Sequence, residues 1–382
     1  MVSTEAPDPF GNAVGRWYYV LAKGLCERGH RVRWLAAYTR EAFATRARAR
    51  LQHHHLDLTL YPYPTRSWST SKWQTLRRPY GYFISDSLAQ DLKAELRRGY
   101  DILHLESAWA GWLGLGAPRS LLSVLSLASV DFARTVPRSV SGLVSKVLMK
   151  RTEQRLISQF DTIRVLTPRD AQVVQGLNRR ARIVTIPLAI DPSLYPFKVE
   201  QPPNAIVGLI GSMHWLPTRS AAVRLLTSVW PRVRASRSDA RLLLVGWGAR
   251  KSLARFADAP GVTILEDVAD SEPYFRRLSV LAYPAVSGSG MKVKLLEAMA
   301  YGVPVVTTSE GVVGIDAADG VHAFVSDEDE ILADRIVSLL GPSQTGRRMR
   351  LAARRLVEDR YSPIPVISQI ESLYDEICQS GS

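Results

Sequence analysis

Short apolar segments of strand length alternate with helical segments along nearly the whole chain, and this alternation begins twice. The first series covers residues 1–186 and the second covers residues 205–362, with a segment containing five prolines, 187–204, between them. Alternating strands and helices favour parallel sheets covered by helices on both faces. The sequence therefore predicts an α/β protein of two Rossmann-like, doubly wound domains facing each other across a cleft. A last helix, at about residues 364–382, is expected to pack back on the first domain.

The strands are predicted from apolar runs that are bounded by turn residues. In the first domain these runs are 2–4, 32–37, 57–63, 102–105, 121–130, 162–166 and 182–186. In the second domain they are 205–210, 241–245, 262–265, 280–283, 304–307 and 323–325. Ligands of open parallel sheets bind beyond the carboxyl ends of the strands, so we expect the loops that follow these strands to form the site.

Residues 287–302, SGSGMKVKLLEAMAYG, combine a glycine turn with basic side chains at the start of an apolar helix. The turn contains Gly288, Ser289 and Gly290, and the helix is predicted to begin near Lys292. A helix N-terminus directs unsatisfied N–H groups and the positive end of its dipole into such a turn. This environment suits a diphosphate.

Three side chains of the same run add to this interpretation. Lys292 and Lys294 supply full positive charges, and Glu297, about one turn into the helix, offers a carboxylate that can accept two ribose hydroxyls. Together they predict a site for a nucleotide diphosphate. The alternative is a glycine loop that caps an ordinary buried helix.

The net charge of +13 is confined to the first half of the chain. Residues 1–199 carry 29 Lys and Arg against 15 Asp and Glu, whereas residues 200–382 carry 20 against 21. A basic half favours contact with anionic surfaces such as phospholipid headgroups or acidic glycans. We expect no nucleic-acid partner, because no recognised nucleic-acid-binding pattern accompanies the charge.

The positive charge is accompanied by aromatic and helical features of the first domain. Residues 66–83 are rich in aromatic and basic side chains, and a basic helix is predicted over residues 139–159. Both suit an anionic membrane surface or a polyanionic acceptor. These features predict a peripheral enzyme that acts on a lipid-linked or polymeric glycan.

The cysteine count and the absence of a leader indicate the compartment. Cys26 and Cys378 lie in predicted helices and are expected to be free thiols in a reducing environment. No apolar run has the length of a membrane span, and no signal peptide opens the chain. We expect a cytoplasmic protein, or one held at the inner face of the membrane. The first strand is short, and we expect the true start to lie upstream.

Motifs in both halves resemble the retaining GT-B glycosyltransferases of family 4, which transfer sugars from nucleotide donors. The most specific match is LLEAMAYGVPVV at 295–306, and the others follow in the family's order. They are GNAVGRWYYVLAKGLCERGHRV (11–32), DILHLES (101–107), IPLAIDPSLYPF (186–197) and GSMHWLPTRSAAVRLLTSVWP (211–231). The last motif is similar to the bacterial exopolysaccharide branch.

The resemblance assigns roles within the glycine turn and the helix that follows it. Glu297 matches the second glutamate of the family's Glu-x7-Glu motif, which holds the ribose hydroxyls. The position of the first glutamate is Ser289, so the usual carboxylate contact with the donor sugar is absent. Ser289 and the backbone amides of Gly290 and Met291 are expected to substitute, with Gly288 in the same turn.

The resemblance also places Lys292 and Lys294 where this branch carries a basic pair. The two positions point in different directions on a helix. We therefore expect only one of them to reach the diphosphate, while the other supports the loop or the domain interface. The residue types do not decide between them.

In the first domain, Gly11 and Asn12 match the family's glycine loop, which approaches the donor phosphates and sugar. Glycine permits this approach because it has no side chain. Arg16 adds charge there or caps the loop. The alternative is an ordinary tight turn.

At the start of the second domain, Gly211 and Ser212 match the loop after the first strand. Many relatives carry an arginine and a lysine shortly after this point, where this chain has His214, Trp215 and Arg219. This departure shifts phosphate binding onto the two lysines of the helix.

The resemblance implies retaining transfer from a UDP- or GDP-linked sugar, with the donor phosphate invoked as base. Lys294 and Glu297 are the catalytic candidates on the donor side. Asp131 is predicted to orient the acceptor or to help as base, because it follows the strand expected to end at residue 130. His104 and Glu106 are rival acceptor contacts, although His104 in an apolar strand is also typical of a structural histidine.

No metal or other cofactor is expected. His53, His54 and His55 are adjacent, and adjacent residues of a strand point to opposite faces, so they are interpreted as a solvated edge. Two alternatives to a transferase stay open. One is a non-catalytic subunit that binds a nucleotide sugar, and the other is a sugar-nucleotide 2-epimerase of the same fold.

Overall fold

The computed structural model describes residues 1–65, 84–131, 140–266, 268 and 270–380. The aromatic and basic stretch 66–83, for which membrane contact is predicted, lies outside the described residues. The chain divides into two compact units. Unit 1 is Met1–Ala189 with Pro363–Ser382, and unit 2 is Ile190–Ser362.

Among the described residues of unit 1, seven parallel strands form one sheet in the order β3-β2-β1-β4-β5-β6-β7. The strands are β1 (Val2–Ser3), β2 (Val32–Tyr38), β3 (Leu56–Pro62), β4 (Leu103–Glu106), β5 (Ser120–Val124), β6 (Thr162–Val165) and β7 (Arg182–Thr185). The helices are α1 (Ala13–Glu27), α2 (Glu41–Arg50), α3 (Asp86–Arg98), α4 (Ala128–Asp131), α5 (Val140–Ile157) and α6 (Pro168–Leu177), with a 3-10 helix at Ala108–Gly114. The chain's last helix, Pro363–Ser380, also belongs to this unit.

The first helix shows why the sequence folds as predicted here. Asn12 caps α1, since its side-chain oxygen accepts the N–H of Gly15. Trp17, Leu21 and Leu25 are buried at helical spacing against the sheet. The helix thereby covers one face of a sheet whose strands are apolar on both sides.

One predicted strand is wrong. The apolar run 121–130 was expected to be a single strand, but β5 ends at Val124 and the short helix α4 follows. A continuous apolar run does not distinguish a strand from a buried helix. The turn between them places Leu127 and Ala128 in the core of unit 1.

Among the described residues of unit 2, six parallel strands form a sheet in the order β10-β9-β8-β11-β12-β13. The strands are β8 (Ile206–Ile210), β9 (Arg241–Val245), β10 (Val262–Leu265), β11 (Val280–Tyr283), β12 (Val305–Thr307) and β13 (Phe324–Val325). The helices are α7 (Leu216–Arg224), α8 (Trp230–Ser236), α9 (Ala249–Ser252), α10 (Glu272–Phe275), α11 (Val293–Tyr301), α12 (Asp329–Ser338) and α13 (Gln344–Arg360). The last helix of the chain, in unit 1, is α14.

The predicted helix over residues 220–234 is continuous but irregular. A π turn, Leu225–Val229, joins α7 to α8. Pro231 lies in the first turn of α8 and has no N–H to donate to the preceding turn, which accounts for the local widening.

The order of the strands in unit 2 locates its ligand-binding edge. β8 is central and pairs with β9 on one side and with β11 on the other. The chain winds in opposite directions from β8, which makes the space beyond its carboxyl end the topological switch point. The loops after β8, β9 and β11 therefore begin side by side.

The C-terminal helix α14 is held to unit 1 by packing and by charge. Gly24 of α1 lies so close to it that a Cβ there would fall 2.7 Å from Cγ1 of Ile367. Glu371 of α14 pairs with Arg28 at 2.5 Å and with His30 at 2.8 Å. In the described part of the chain, no helix combines the length and the apolar character needed to cross a bilayer.

Candidate functional site

The loop after β11 is held by hydrogen bonds from Lys292, a residue of the loop itself. Lys292 immediately precedes α11 and is buried. Its Nζ donates to the carbonyl oxygens of Gly290 at 3.0 Å and Ser289 at 3.3 Å. Ser289 and Met291 are buried as well. The ammonium of Lys292 is thus directed at its own loop, which it holds in shape.

Lys294 occupies a different position. Its Nζ donates to the hydroxyl of Thr218 in α7 at 2.5 Å and lies 4.5 Å from the ring centroid of Tyr283, the last residue of β11. Burial, and then the positive charge of Lys292, lower the pKa of Lys294 from 10.5 to about 7. The structure therefore holds a partly desolvated amine whose positive form gains from any anion that binds beside it.

Gly211 brings the end of β8 against this amine. A Cβ at Gly211 would lie 2.9 Å from Nζ of Lys294, and its φ of 151° is one that other residues rarely adopt. Ser212 follows in the same turn, and its carbonyl oxygen accepts the N–H of Trp215 at 3.3 Å. Lys294 consequently lies at the switch point of the sheet, whereas Lys292 lies within its own loop.

Glu297 lies on the same face of α11 as Lys294. The two are three residues apart, one helical turn, so their side chains are neighbours. Glu297 is buried, with 7% of its side chain exposed. The side chain of Lys292, the N-cap residue of α11, makes no capping hydrogen bond. An ammonium, a helix N-terminus and a carboxylate thus meet at one edge, an arrangement that can bind a phosphate and a diol.

Other residues of this edge were not singled out as ligands by the sequence. Thr218 and Tyr283 contact Lys294, and the ring of Trp247, after β9, is tilted against that of His214 with 4.4 Å between the ring centroids. Their positions after or at the ends of the predicted strands were the available signal. Gly288 is enclosed too, since a Cβ there would meet Pro217 at 3.0 Å.

In unit 1, the loop before α1 is a closed turn. The N–H of Gly11 donates to the carbonyl oxygen of Asp8 at 3.1 Å, and Nδ2 of Asn12 donates to the carboxylate of Glu5. Arg46 fixes Asp8 through two contacts of 2.6 and 2.9 Å. These contacts agree with the tight-turn alternative, while the predicted donor roles of Gly11 and Asn12 stay predictions.

Arg16 is buried within α1, with 9% of its side chain exposed. Asn12 supplies the cap of this helix, and the predicted role of Arg16 at the loop stays a prediction. The predicted acceptor contact of Arg16 is not tested by this geometry.

His104 and Glu106 are engaged in a buried network, which argues against the predicted acceptor role. Glu106 Oε1 lies 2.8 Å from Nε2 of His104 and accepts from Arg164 at 3.1 Å and Ser123 at 3.0 Å. Its Oε2 accepts from Nε1 of Trp17 at 2.9 Å. Both His104 and Glu106 are at most 1% exposed. The signal for a structural role was their position within a strand covered on both faces.

The electrostatics of this network keep Glu106 ionised. Burial opposes ionisation, but His104 and Arg164 outweigh it and lower the pKa of Glu106 to about 2. Burial is the largest cause of the lowered pKa of His104, and the carboxylate of Glu106 opposes it. Nδ1 of His104 lies 2.6 Å from the hydroxyl of Tyr374 in α14. The network therefore also ties the last helix to the sheet.

Asp131 does not follow a strand, contrary to the sequence prediction. It is the last residue of α4 and is buried, with 3% exposed. The carboxylate of Glu153 in α5 accepts the N–H of Ser129 at 3.2 Å. Burial and, among smaller causes, Asp131 raise the pKa of Glu153. The acceptor role of Asp131 stays a prediction, now on a helix end.

The three adjacent histidines do not lie on a strand either, so the geometric argument against a metal was wrong. They lie before β3, at a turn, and a ring nitrogen of each falls within 4.8 Å of the others. Nδ1 of His53 already accepts the N–H of His55 at 3.1 Å. In that tautomer Nε2 of His53 carries a proton and offers no lone pair to a metal.

Comparison with known families accounts for both units. Residues 14–194 match the family described as Glycosyltransferase Family 4, and residues 204–341 match the family described as Glycosyl transferases group 1. A phosphatidyl-myo-inositol mannosyltransferase of Mycobacterium leprae is 30% identical over 164 residues, 41% of this chain. The matched part spans 44% of the length of that relative.

Solved structures of the same architecture extend over the whole chain. Anabaena HepE in complex with UDP-glucose superposes with a TM-score of 0.69 at 14% identity, covering 98% of both chains. Sucrose-phosphate synthase from Thermosynechococcus elongatus superposes with a TM-score of 0.72 at 16% identity, covering 99% of this chain and 98% of the other. The two Rossmann-like sheets have the GT-B architecture of these structures, which confirms the predicted fold class. The chain belongs to the superfamily of group 1 and family 4 glycosyltransferases.

Proposed function

We propose that the protein transfers a sugar from a UDP- or GDP-linked donor to a hydroxyl of a lipid-linked or polymeric glycan, with retention of anomeric configuration. The observation that carries this proposal is the position of Lys294, held by Thr218 and Gly211 at the switch point of unit 2. An amine there, one helical turn from Glu297, suits a nucleotide diphosphate. HepE has been crystallised with UDP-glucose and with UDP, and the proposal extends this donor chemistry to the present chain.

In the proposed reaction, the donor's bond from the anomeric carbon to the diphosphate breaks as the acceptor hydroxyl attacks. Lys294 and the N–H groups at the start of α11 stabilise the negative charge that develops on the leaving diphosphate. Glu297 accepts hydrogen bonds from the ribose hydroxyls and thereby orients the nucleotide. The leaving phosphate takes the proton of the acceptor, and Asp131 orients that acceptor.

The proposed chemistry needs no metal. The charge that a divalent ion supplies in other phosphate sites is supplied here by an ammonium and a helix N-terminus, both of which lie at the same strand edge. We therefore include EDTA in the binding test. Donor turnover distinguishes a transferase from a subunit that only binds a nucleotide sugar, and analysis of the released sugar distinguishes it from an epimerase.

Thermal unfolding with UDP, GDP, ADP and CMP, and with their common sugars, tests the donor site. A ligand at about 100 times its dissociation constant stabilises a protein by roughly 2.7 kcal/mol, which shifts the melting temperature measurably. We expect one nucleotide diphosphate to shift it, with or without EDTA, and Glu297→Ala to remove most of the shift.

Glu330→Ala is the matched control, because it removes an exposed carboxylate from α12 of the same unit. It should leave the nucleotide-dependent shift unchanged. The donor proposal would be contradicted if none of the nucleotides or sugars stabilised the wild-type protein, or if Glu297→Ala retained the whole shift.

We propose further that α5 contributes to contact with an anionic membrane. Leu143, Val147 and Leu148 are 64%, 42% and 47% exposed, and Lys150 and Arg151 on the same helix are exposed too. An exposed helix that combines apolar and basic side chains suits the headgroup region of an anionic bilayer.

Co-sedimentation with phosphatidylserine-containing vesicles tests this membrane contact. Wild-type protein is expected to bind at low salt and less at high salt, because salt screens the attraction of the basic residues. Changing Leu143, Val147 and Leu148 together to serine should reduce binding at both salt concentrations. Val321→Ser, at an apolar position of unit 2 that is 50% exposed, is the control. Absence of wild-type binding at either salt concentration would rule out this contact.

A further inference from the structure

An exposed aromatic pair lies at the ligand-binding edge of unit 2 and has no part in the proposed function so far. Trp247 directly follows the glycine after β9, and 53% of its side chain is exposed. His214, also exposed, follows β8, and its ring lies 4.4 Å from that of Trp247 at an interplanar angle of 59°. Large exposed aromatic side chains at a strand edge favour a ligand with a flat or apolar face.

The backbone holds this pair in place. The N–H of Met213 donates to the carbonyl oxygen of Trp247 at 2.8 Å, which joins the loops after β8 and β9. Gly248 lies under the histidine ring, since a Cβ there would come within 2.6 Å of Nε2 of His214. Its φ of 73° is left-handed and suits glycine. The packing of these two loops therefore fixes the orientation of the two rings.

The same loops connect the aromatic pair to Lys294. Gly246 packs on the end of β8 so tightly that a Cβ would lie 2.1 Å from the carbonyl oxygen of Gly211. Gly211 in turn borders Nζ of Lys294. Trp247 follows Gly246 directly, about 3.8 Å further along the chain, so its side chain begins at the same strand edge as this ammonium.

We infer that Trp247, supported by His214, stacks on the base of the nucleotide whose diphosphate lies at Lys294. The inference rests on the proposed function and deepens it, because it assigns the base to a surface that the family motifs do not mark in this chain. A cation and an aromatic face at one strand edge match the two chemically different ends of a nucleoside diphosphate. Every base can stack on an aromatic side chain, so Trp247 by itself accepts either a pyrimidine or a purine.

Isothermal titration calorimetry of the full chain with UDP, GDP and inorganic pyrophosphate tests whether the base stacks on Trp247. Loss of one base–aromatic stack corresponds to about tenfold to a hundredfold in affinity. Trp247→Ala should weaken UDP or GDP by this factor and leave pyrophosphate unchanged, since pyrophosphate has no base. Trp247→Phe should restore nucleotide affinity to within a few fold, and His214→Ala should give a smaller loss than Trp247→Ala.

The outcomes separate this inference from the proposed function. Equal nucleotide affinity in the wild type and Trp247→Ala would overturn the stacking of the base on Trp247, while the proposed donor site would stand. An equal loss of nucleotide and pyrophosphate affinity would also overturn it, because the substitution would then act on the phosphate site. A wild-type protein that bound pyrophosphate but no nucleotide would contradict both proposals.

Discussion

Replacing Lys294 with methionine is expected to lower kcat/KM for sugar transfer by about 10²–10³-fold, the range found when one preorganised donor to a developing negative charge is removed. Methionine preserves much of the length and apolar surface of the lysine stem, but it removes the ammonium that lies over the ring of Tyr283. The amine that donates to Thr218 and borders Gly211 is lost. Steady-state kinetics, together with direct titration of the nucleoside diphosphate, measure the effect.

The same variant should be more stable than the wild type in the absence of ligand. Burial and the charge of Lys292 lower the pKa of Lys294 to about 7, which means that its charged form is disfavoured in the folded protein. Replacing a disfavoured buried charge with an apolar side chain removes that cost. Thermal unfolding is therefore expected to show a higher melting temperature for Lys294→Met, while the nucleotide-dependent shift disappears.

The depressed pKa also predicts how binding depends on pH. The amine is mostly protonated below pH 7 and mostly neutral above it, and only the protonated form attracts a diphosphate. Bound diphosphate raises the pKa of Lys294, so wild-type affinity should fall by up to tenfold per pH unit above about 7. This fall should be absent in Lys294→Met.

Lys251→Met, an exposed lysine of α9, is the charge-matched control and should leave kinetics and pH dependence close to wild type. Lys292→Met is a second comparison, because Lys292 donates to the carbonyls of its own loop. If Lys292→Met abolished diphosphate binding while Lys294→Met left it intact, the assignment of the two lysines would be reversed.

The sequence predicted the donor-side elements well because their signals are local. The glycine turn, the start of α11 and the spacing of Lys294 and Glu297 all lie within sixteen residues. The choice between Lys292 and Lys294 was not predictable, because it depends on Thr218, which is 76 residues away in sequence. Contacts of that range follow from how β8 and β11 pair, not from residue types.

The sequence did not reveal the surroundings of the acceptor-side candidates, because burial rather than residue type decides them. Asp131 was placed at a strand end because residues 121–130 are apolar throughout, and the break after Val124 left no clear signal. His104 and Glu106 have the residue types of a catalytic pair. Their partner Arg164 comes from a strand two positions across the sheet, and only the sheet order β4-β5-β6 brings it there.

Replacing Glu106 with alanine is expected to destabilise unit 1 by about 3–5 kcal/mol, because it leaves the guanidinium of Arg164 buried without its carboxylate. The backbone carbonyls of Ile186 and Pro187 still accept from Arg164, but they carry no charge to balance it. Urea unfolding of the full chain measures the loss. Hydrogen exchange in peptides that cover β4 and α14 localises it, since His104 connects the network to Tyr374.

Acid unfolding provides a second measure of how much the Glu106 carboxylate contributes to stability. The folded pKa of about 2 lies below the ordinary value of 4.5. The stabilisation by Glu106 is therefore fully present above pH 4.5 and is lost as the pH falls from there towards 2. Glu106→Ala should show a smaller loss of stability over this window than the wild type. Glu41→Ala, which removes an exposed carboxylate paired with Arg48, is the control and should change little.

A double-mutant cycle with Arg164→Met decides whether the network is structural. Removing both charges is expected to lower the free energy of unfolding less than Glu106→Ala alone does, because no uncompensated guanidinium remains. Activity of the double variant, measured at a temperature where it is folded, should then stay near wild type. If Glu106→Ala instead kept its stability and lost only transfer to the acceptor, the carboxylate would serve the acceptor chemistry, and the role first predicted from the sequence for His104 and Glu106 would be restored.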